Sequence, residues 1–186
     1  MKKYVFLSIA IVLIYVFQSF LNATGGIGAD SLSYFGIASD LPRLETNLFP
    51  LGFPVVIRFF YEIFGDYFWA SKMLNVSMVI ILLLFSYFKK YYFKETVLLF
   101  TGKTLFFALN YAVSEGLFVF MLYFLIYLFH ERFQNRMKPM FFVIFSSLLF
   151  IVLFSIRYSG IYIFLGFGVF WMVMFFKNRF SPINKD

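Results

Sequence analysis

Apolar residues gather into six long stretches along this chain, separated by short segments that contain polar residues or glycine. A helix needs about 20 mostly apolar residues to cross the hydrocarbon core of a bilayer. Each stretch approaches that length, so the pattern predicts an all-α, polytopic transmembrane helical bundle with about six spanning helices. The predicted spans are 4–22, 67–88, 95–112, 114–130, 139–156 and 159–176. We expect residues 1–186 to form a single transmembrane domain.

The first stretch has a second interpretation. It follows Met1-Lys2-Lys3, as the apolar core of a signal peptide follows basic residues, and the segment Asn22-Ala-Thr-Gly-Gly could be cleaved. The apolar run is long for a signal peptide, which favours a retained spanning helix.

Composition supports a membrane protein. Hydrophobic residues make up 62% of the chain and charged residues 13%, whereas soluble domains are about half apolar and about a quarter charged. The absence of cysteine excludes disulfides and thiolate metal sites, and the single histidine, His130, excludes a multi-histidine metal site. A net charge of +7 could indicate nucleic-acid binding in a soluble protein. Here the positions of the charges follow the spans, so we expect no nucleic-acid partner.

Basic residues set the orientation, because cytoplasmic loops are rich in Lys and Arg. With the N-terminus in the cytoplasm, both termini are cytoplasmic and eleven of the 16 basic residues lie inside: Lys2, Lys3, Lys89, Lys90, Lys94, Arg132, Arg136, Lys138, Lys177, Arg179 and Lys185. Four lie outside (Arg43, Arg58, Lys72 and Arg157), and Lys103 lies within a span. Six of the nine acidic residues fall outside: Asp30, Asp40, Glu45, Glu62, Asp66 and Glu115. We expect a multi-pass protein of the cytoplasmic (inner) membrane of a bacterium, with its active face extracytoplasmic.

The first extracytoplasmic loop, residues 23–66, is much longer than the other connections, and loops of this length are usually functional. Asp30-Ser31 is a typical helix N-cap, and Pro42 ends the helix that follows. The sequence therefore predicts a short helix between them.

A second short helix is predicted later in this loop. Pro54 suits a first helical position, Gly65 suits a position just past the end, and Arg58 and Glu62 share one face. Neither helix is long enough to span a bilayer, so both are expected to lie at the membrane surface with their apolar faces in the interface. A re-entrant hairpin over 48–64 is the alternative.

Four motifs of this chain resemble the GT-C superfamily of polytopic glycosyltransferases, which includes protein mannosyltransferases and the aminoarabinose transferase of lipid A. The first is Asp30-Ser-Leu-Ser-Tyr34-Phe-Gly-Ile-Ala38-Ser-Asp-Leu41, which resembles the first-loop motif D-x-x-x-Y-x-x-x-A-x-x-L. Phe49-Pro-Leu-Gly-Phe-Pro54, Asn110-Tyr-Ala-Val-Ser-Glu115 and Arg157-Tyr-Ser-Gly160 resemble later motifs in family order. The resemblance covers about residues 1–176, the N-terminal portion of enzymes that are usually about two to three times longer.

The resemblance implies transfer of a sugar from a polyprenyl-phosphate carrier to an extracytoplasmic acceptor such as a cell-envelope glycan, lipid or protein. It implies Asp30 as the catalytic base, with Tyr34 in the same motif binding substrate; from the residues alone, Asp30 could simply cap its helix. Asp40 could be a second acid, a ligand of a divalent metal ion, or a solvated helix end. Glu115 could bind substrate hydroxyls or complement a helix dipole.

Cations are needed to hold the carrier phosphate. Arg157 is the best candidate because Arg forms bidentate contacts with phosphate, and Lys72, near Trp69, could act likewise. The alternative for both is that the side chain reaches the lipid headgroups. Lys103 lies near the middle of a predicted span and needs a partner, for which Glu115 is conceivable. The segment Gly102-Lys103-Thr104 lacks the preceding glycine of a P-loop.

Two other functions stay open. One is a transporter or flippase for lipid-linked saccharides, and the other is a non-catalytic membrane subunit of a polysaccharide assembly system. The short length favours the non-catalytic subunit, and a C-terminal partner or subunit is a further expected partner if the chain is one part of an enzyme. Transporters usually show internal repeats and polar groups near the midplane, whereas the polar groups here cluster at one face.

Overall fold

The computed structural model describes residues 2–21, 26–43 and 49–180, with side chains as far as Val173. The described ranges contain nine helices and no strands. The helices are α1 (Lys2–Leu21), α2 (Ala29–Asp40), α3 (Gly52–Phe64), α4 (Tyr67–Lys89), α5 (Phe93–Thr101), α6 (Lys103–Asn110), α7 (Glu115–Phe133), α8 (Pro139–Ile156) and α9 (Gly160–Phe180). Asn22 to Gly25 of the possible cleavage segment lie outside the described residues, as do Glu45, Lys185 and the side chains of Lys177 and Arg179.

Four of the described helices, α1, α4, α7 and α8, are long and apolar enough to cross a membrane. The all-helical class is therefore confirmed, and these four candidate spans lie where spanning helices were predicted. The described part of α9 is also apolar, from Gly160 to Val173.

Contacts between helices show how the chain runs along the bundle. The rings of Phe20 and Trp69 lie 5.3 Å apart, so α1 ends where α4 begins. Gly116 lies against Asn75, and the Phe85 and Phe124 rings are 4.9 Å apart. Helices α4 and α7 therefore run parallel, and α5 and α6 must return the chain along the bundle between them.

The predicted span 95–112 is not one helix. It is divided at Gly102, whose backbone is extended. Glycine inside a helix costs about 1 kcal/mol relative to alanine, which favours a break at this position. Just before the break, the Thr101 hydroxyl donates a 2.7 Å hydrogen bond to the Leu98 carbonyl. The break frees the Phe100 carbonyl, which accepts a 3.4 Å hydrogen bond from the Tyr15 hydroxyl of α1.

Helices α2 and α3 pack at the end of the bundle where α4 begins. Helix α3 starts at Gly52, two residues before the predicted first position at Pro54, and it ends as predicted at Gly65, whose φ is 70°. The predicted proximity of Arg58 and Glu62 is confirmed by a 2.8 Å ion pair. Glycine at position 52 allows α3 to approach α8, because an added Cβ would lie 2.7 Å from the Ser155 carbonyl oxygen.

Replacing Gly52 by alanine should separate α3 from α8. A matched control is Gly36→Ala in α2, where an added Cβ meets nothing within 4 Å. Gly36 lies inside α2 and gains about 1 kcal/mol of helix propensity from the change, whereas Gly52 begins α3 and gains less. Only a difference above about 1 kcal/mol therefore reports the steric conflict. We expect Gly52→Ala to have a free energy of unfolding about 1–3 kcal/mol lower than Gly36→Ala, measured by denaturation in detergent micelles. Equal stabilities would mean that α3 and α8 do not make this contact.

Candidate functional site

Residues from three distant parts of the sequence meet at the end of the bundle where α7 begins and α8 ends. The Tyr34 hydroxyl lies 3.1 Å from the Ser114 Oγ, and Glu115 forms an ion pair with Arg157. Asp30 lies one helical turn before Tyr34 on the same face of α2. We call Asp30, Tyr34, Ser114, Glu115 and Arg157 the Tyr34 cluster.

Tyr34 is the buried centre of this cluster. Its ring is 5% exposed and packs edge-on against Phe49 at 5.1 Å and Phe53 at 4.9 Å. Burial raises the pKa of the Tyr34 phenol, while the hydrogen bond with Ser114 lowers it by a smaller amount. The phenol therefore stays protonated at neutral pH and can donate a hydrogen bond.

Asp30 does not cap α2, in contrast to one interpretation of the sequence. The N-cap is Gly28, and the Ser31 Oγ accepts a 3.0 Å hydrogen bond from the Gly28 backbone N–H. Asp30 stands in the first turn with an exposed side chain. Its carboxylate is stabilised by the helix dipole and is accessible to a ligand.

The Glu115–Arg157 pair closes one side of the cluster. Glu115 is the first residue of α7, and Arg157 follows α8 in an extended conformation. Their side chains are 44% and 36% exposed, so an anion can approach. A guanidinium has five N–H donors, and one carboxylate engages at most two of them. The suggested partnership of Glu115 with Lys103 is wrong, because Glu115 pairs with Arg157.

Lys72 is buried inside the bundle, in the second turn of α4. The residue is 1% exposed, its ammonium donates to the Asn110 carbonyl, and it lies 5.0 Å from the centroid of the Phe68 ring. A side chain buried in this way does not extend into the surrounding lipid, and contact of Lys72 with a phosphate stays a prediction.

Asn75, one turn after Lys72 on α4, was missed by the sequence analysis. Its Nδ2 donates to the carbonyl oxygens of Leu109 at 2.7 Å and Tyr111 at 3.1 Å. The Ala112 N–H donates to the Gly26 carbonyl at 2.8 Å. Together with Lys72, these bonds fix the segment that leads into Ser114 and Glu115. The signal that could have revealed it is the i, i+3 spacing of two polar residues within a predicted span.

Asp40 is not brought to the Tyr34 cluster. It lies at the opposite end of α2, about 15 Å from Asp30 along the helix axis at 1.5 Å per residue, with an exposed carboxylate that accepts from the Ser39 hydroxyl at 3.3 Å. Within the described ranges, no group of three Asp, Glu, His or Cys side chains is placed to hold a metal ion. A divalent metal therefore stays a prediction.

In the part of the chain that the structure describes, the fold is a helical bundle with four helices long and apolar enough to cross a membrane, and it carries a polar and charged site at one end. No protein-family model, curated protein or solved structure matches the chain. The GT-C resemblance stays a prediction from the motifs.

The Asn75 amide should be needed to hold the segment before α7. In Asn75→Asp the shape is kept, but an oxygen replaces Nδ2 and faces two carbonyl oxygens. We expect a loss of about 1–3 kcal/mol in the free energy of unfolding, the cost of leaving buried polar groups unsatisfied, measured in detergent micelles.

A matched control is Ser146→Ala in α8, because this buried serine donates its hydroxyl to the local Val143 carbonyl. We expect it to change stability by less than about 1 kcal/mol. An Asn75→Asp variant as stable as this control would contradict the proposed attachment.

Proposed function

We propose that this chain is a membrane glycosyltransferase of the GT-C type, or one part of such an enzyme. It would transfer a sugar from a polyprenyl-phosphate donor to an extracytoplasmic acceptor such as a cell-envelope glycan, lipid or protein. The observation that supports this most strongly is the convergence of Asp30, Tyr34, Glu115 and Arg157 at one end of the bundle. Three of the four resemblance motifs thereby contribute polar side chains to one place.

The proposed topology has six crossings, with α5–α6 and α9 completing the four long helices. Basic residues lie at the bundle end opposite the Tyr34 cluster: Lys89 ends α4, Arg132 lies in the last turn of α7, and Lys138 precedes α8. By the positive-inside rule that end is cytoplasmic, and the cluster is extracytoplasmic. Helices α2 and α3 would lie along the outer membrane surface.

The proposed reaction needs a base and a cation. The acceptor hydroxyl oxygen forms a bond to the anomeric carbon while the bond from that carbon to the phosphate oxygen breaks. Asp30 takes the hydroxyl proton, and Arg157 stabilises the negative charge on the departing polyprenyl phosphate. Tyr34 and Glu115 are placed to hydrogen-bond sugar hydroxyls.

A non-catalytic subunit of a polysaccharide assembly system is the second candidate. The observation that favours it is the Glu115–Arg157 ion pair, which already neutralises the proposed phosphate ligand. A transporter is less well supported, because transporter sites usually lie near the midplane and the Tyr34 cluster lies at one end.

Phosphate recognition can be tested on the full chain in lipid nanodiscs, with a polyprenyl phosphate as the ligand. Arg157→Ala should weaken binding by about 1.5–3 kcal/mol, the range for hydrogen bonds to charged groups, and Arg157→Lys should restore part of it. Glu115→Gln should strengthen binding, because it removes the competing carboxylate.

Arg58→Ala is the matched control, since Arg58 also pairs with a glutamate at this end of the bundle. The uncharged polyprenol controls for binding of the hydrocarbon chain. Equal affinities of the Arg157→Ala and Arg58→Ala variants would remove Arg157 from the proposed site.

Catalysis by Asp30 can be separated from structure with Asp30→Asn, which keeps the side-chain shape but cannot accept the proton. We expect unchanged stability and about a hundredfold or greater loss of transfer, the usual scale for general acid–base catalysis. The readout is glycosylation of the cell envelope in host cells that lack the native gene and carry each variant. Asp40→Asn, at the other end of the same helix, should retain activity. Near-normal glycosylation with Asp30→Asn would exclude Asp30 as the base.

A further inference from the structure

The break between α5 and α6 forms a polar surface on the side of the bundle. Thr101, Gly102, Lys103 and Thr104 are all exposed. The Lys103 ammonium lies 5.9 Å from the centroid of the Phe107 ring. No carboxylate of the described residues lies within ion-pairing distance of it. We call residues 101–104 the break surface.

The break surface lies about midway along the bundle. Gly102 is separated from Phe93 at one end and from Asn110 at the other by about 12–14 Å of helical rise, at 1.5 Å per residue. The hydrocarbon core of a bilayer is about 30 Å thick. In the six-crossing topology proposed above, on which this inference rests, the break surface therefore lies near the bilayer midplane.

Lipid hydrocarbon cannot form hydrogen bonds with the polar groups of the break surface. The N–H groups of Lys103 and Thr104 are at the start of α6, where no carbonyl of that helix can accept from them. Irregular backbone at membrane depth is tolerated where protein or a water-filled cavity covers it. A lysine side chain can bend toward the headgroups, but the backbone groups cannot, so the break surface needs a polar partner at the same depth.

We propose that the break surface binds a transmembrane helix of another protein that carries an Asp or Glu near its middle. A carboxylate complements the Lys103 charge and can accept from the neighbouring N–H and hydroxyl groups. Gly102 allows a close approach of helix backbones. Exposed Leu98 and Phe107 on either side supply apolar contacts, which suits a partner with one acidic residue in an apolar sequence.

A second copy of this chain fits less well. The acidic residues described in or beside its traversing segments lie at the ends: Glu95 is in the first turn of α5, and Glu115 begins α7 and is paired with Arg157. Glu131 is near the end of α7 and pairs with Arg136. None of these carboxylates is placed to reach Lys103 of a neighbouring copy at mid-depth.

The test measures energy transfer between the labelled full chain and synthetic transmembrane peptides in liposomes of neutral lipid. The peptides are Leu/Ala helices with a central Asp, Asn or Leu. We expect the Asp peptide to associate about five- to thirtyfold more tightly than the Leu peptide, the scale of an interhelical polar contact. Lys103→Met should abolish this difference, and Lys94→Met, near the end of the bundle, should preserve it. Equal association of the Asp and Leu peptides, or an unchanged preference in Lys103→Met, would overturn the proposal.

Two further measurements separate the alternatives. Self-association of the full chain that depends on Lys103 would overturn the proposal in favour of a second copy. Lys103→Cys, which introduces the sole thiol, should resist a membrane-impermeant thiol reagent added to either side. Labelling would place the break surface in water, either outside the membrane or in a water-filled cavity, and would overturn the proposal. None of these measurements depends on sugar transfer. The helix-binding proposal can therefore be wrong while the proposed transferase activity is right, and the transferase proposal can be wrong while helix binding is right.

Discussion

Two polar side chains of α4 hold the segment on which the candidate site depends. Lys72 and Asn75 donate to the carbonyl oxygens of Leu109, Asn110 and Tyr111, where α6 ends and no further helical turn supplies donors. Burying an ammonium is costly unless it is compensated, and a carbonyl oxygen and an aromatic face compensate it here. This attachment sets the direction of the chain into Ser114, and therefore the position of Glu115.

The parallel arrangement of α4 and α7 imposes the second constraint. It requires residues 90–114 to return along the whole bundle, and the sequence available for this return contains Thr101-Gly-Lys-Thr. The helix is interrupted at Gly102, and the Tyr15 hydroxyl of α1 donates a hydrogen bond to the carbonyl oxygen of Phe100. The return is thus held at its middle by α1 and at its end by α4, while the opposite face of the break remains exposed.

The length of the apolar stretches was sufficient to predict the long helices, because α1, α4, α7 and α8 are each long and apolar enough to cross a membrane. It was not sufficient for α5 and α6, because a single Gly beside Thr and Lys interrupts the helix within an otherwise apolar stretch. Local capping signals were also ambiguous. Asp30 and Ser31 are adjacent and both can cap. The N-cap is Gly28, two positions before Asp30, so that the Ser31 Oγ accepts from the Gly28 N–H.

The sequence was enough to predict which residues form the candidate site, but not how their side chains contact one another. Asp30, Tyr34, Glu115 and Arg157 were singled out from motifs, and their contacts depend on packing between distant segments. Lys72 and Asp40 show the difficulty. A lysine near an interfacial Trp could face lipid or the bundle, and burial depends on the carbonyl groups of residues 109–111, which are over 30 positions away. Asp40 belongs to the same motif as Asp30, but the length of α2 separates the two.

The Glu115–Arg157 pair determines how an anion could bind in the proposed reaction. An exposed ion pair contributes about 0–1 kcal/mol, whereas hydrogen bonds to a charged phosphate contribute about 1.5–3 kcal/mol. An arriving phosphate can therefore replace Glu115 at the guanidinium with a net gain. The displaced carboxylate would remain near the Tyr34 hydroxyl, where its charge contributes to the raised pKa of the phenol. It would then be available as an acceptor for sugar hydroxyls. One ion pair would thus neutralise the empty site and, once separated, supply a cation for the carrier and an acceptor for the sugar.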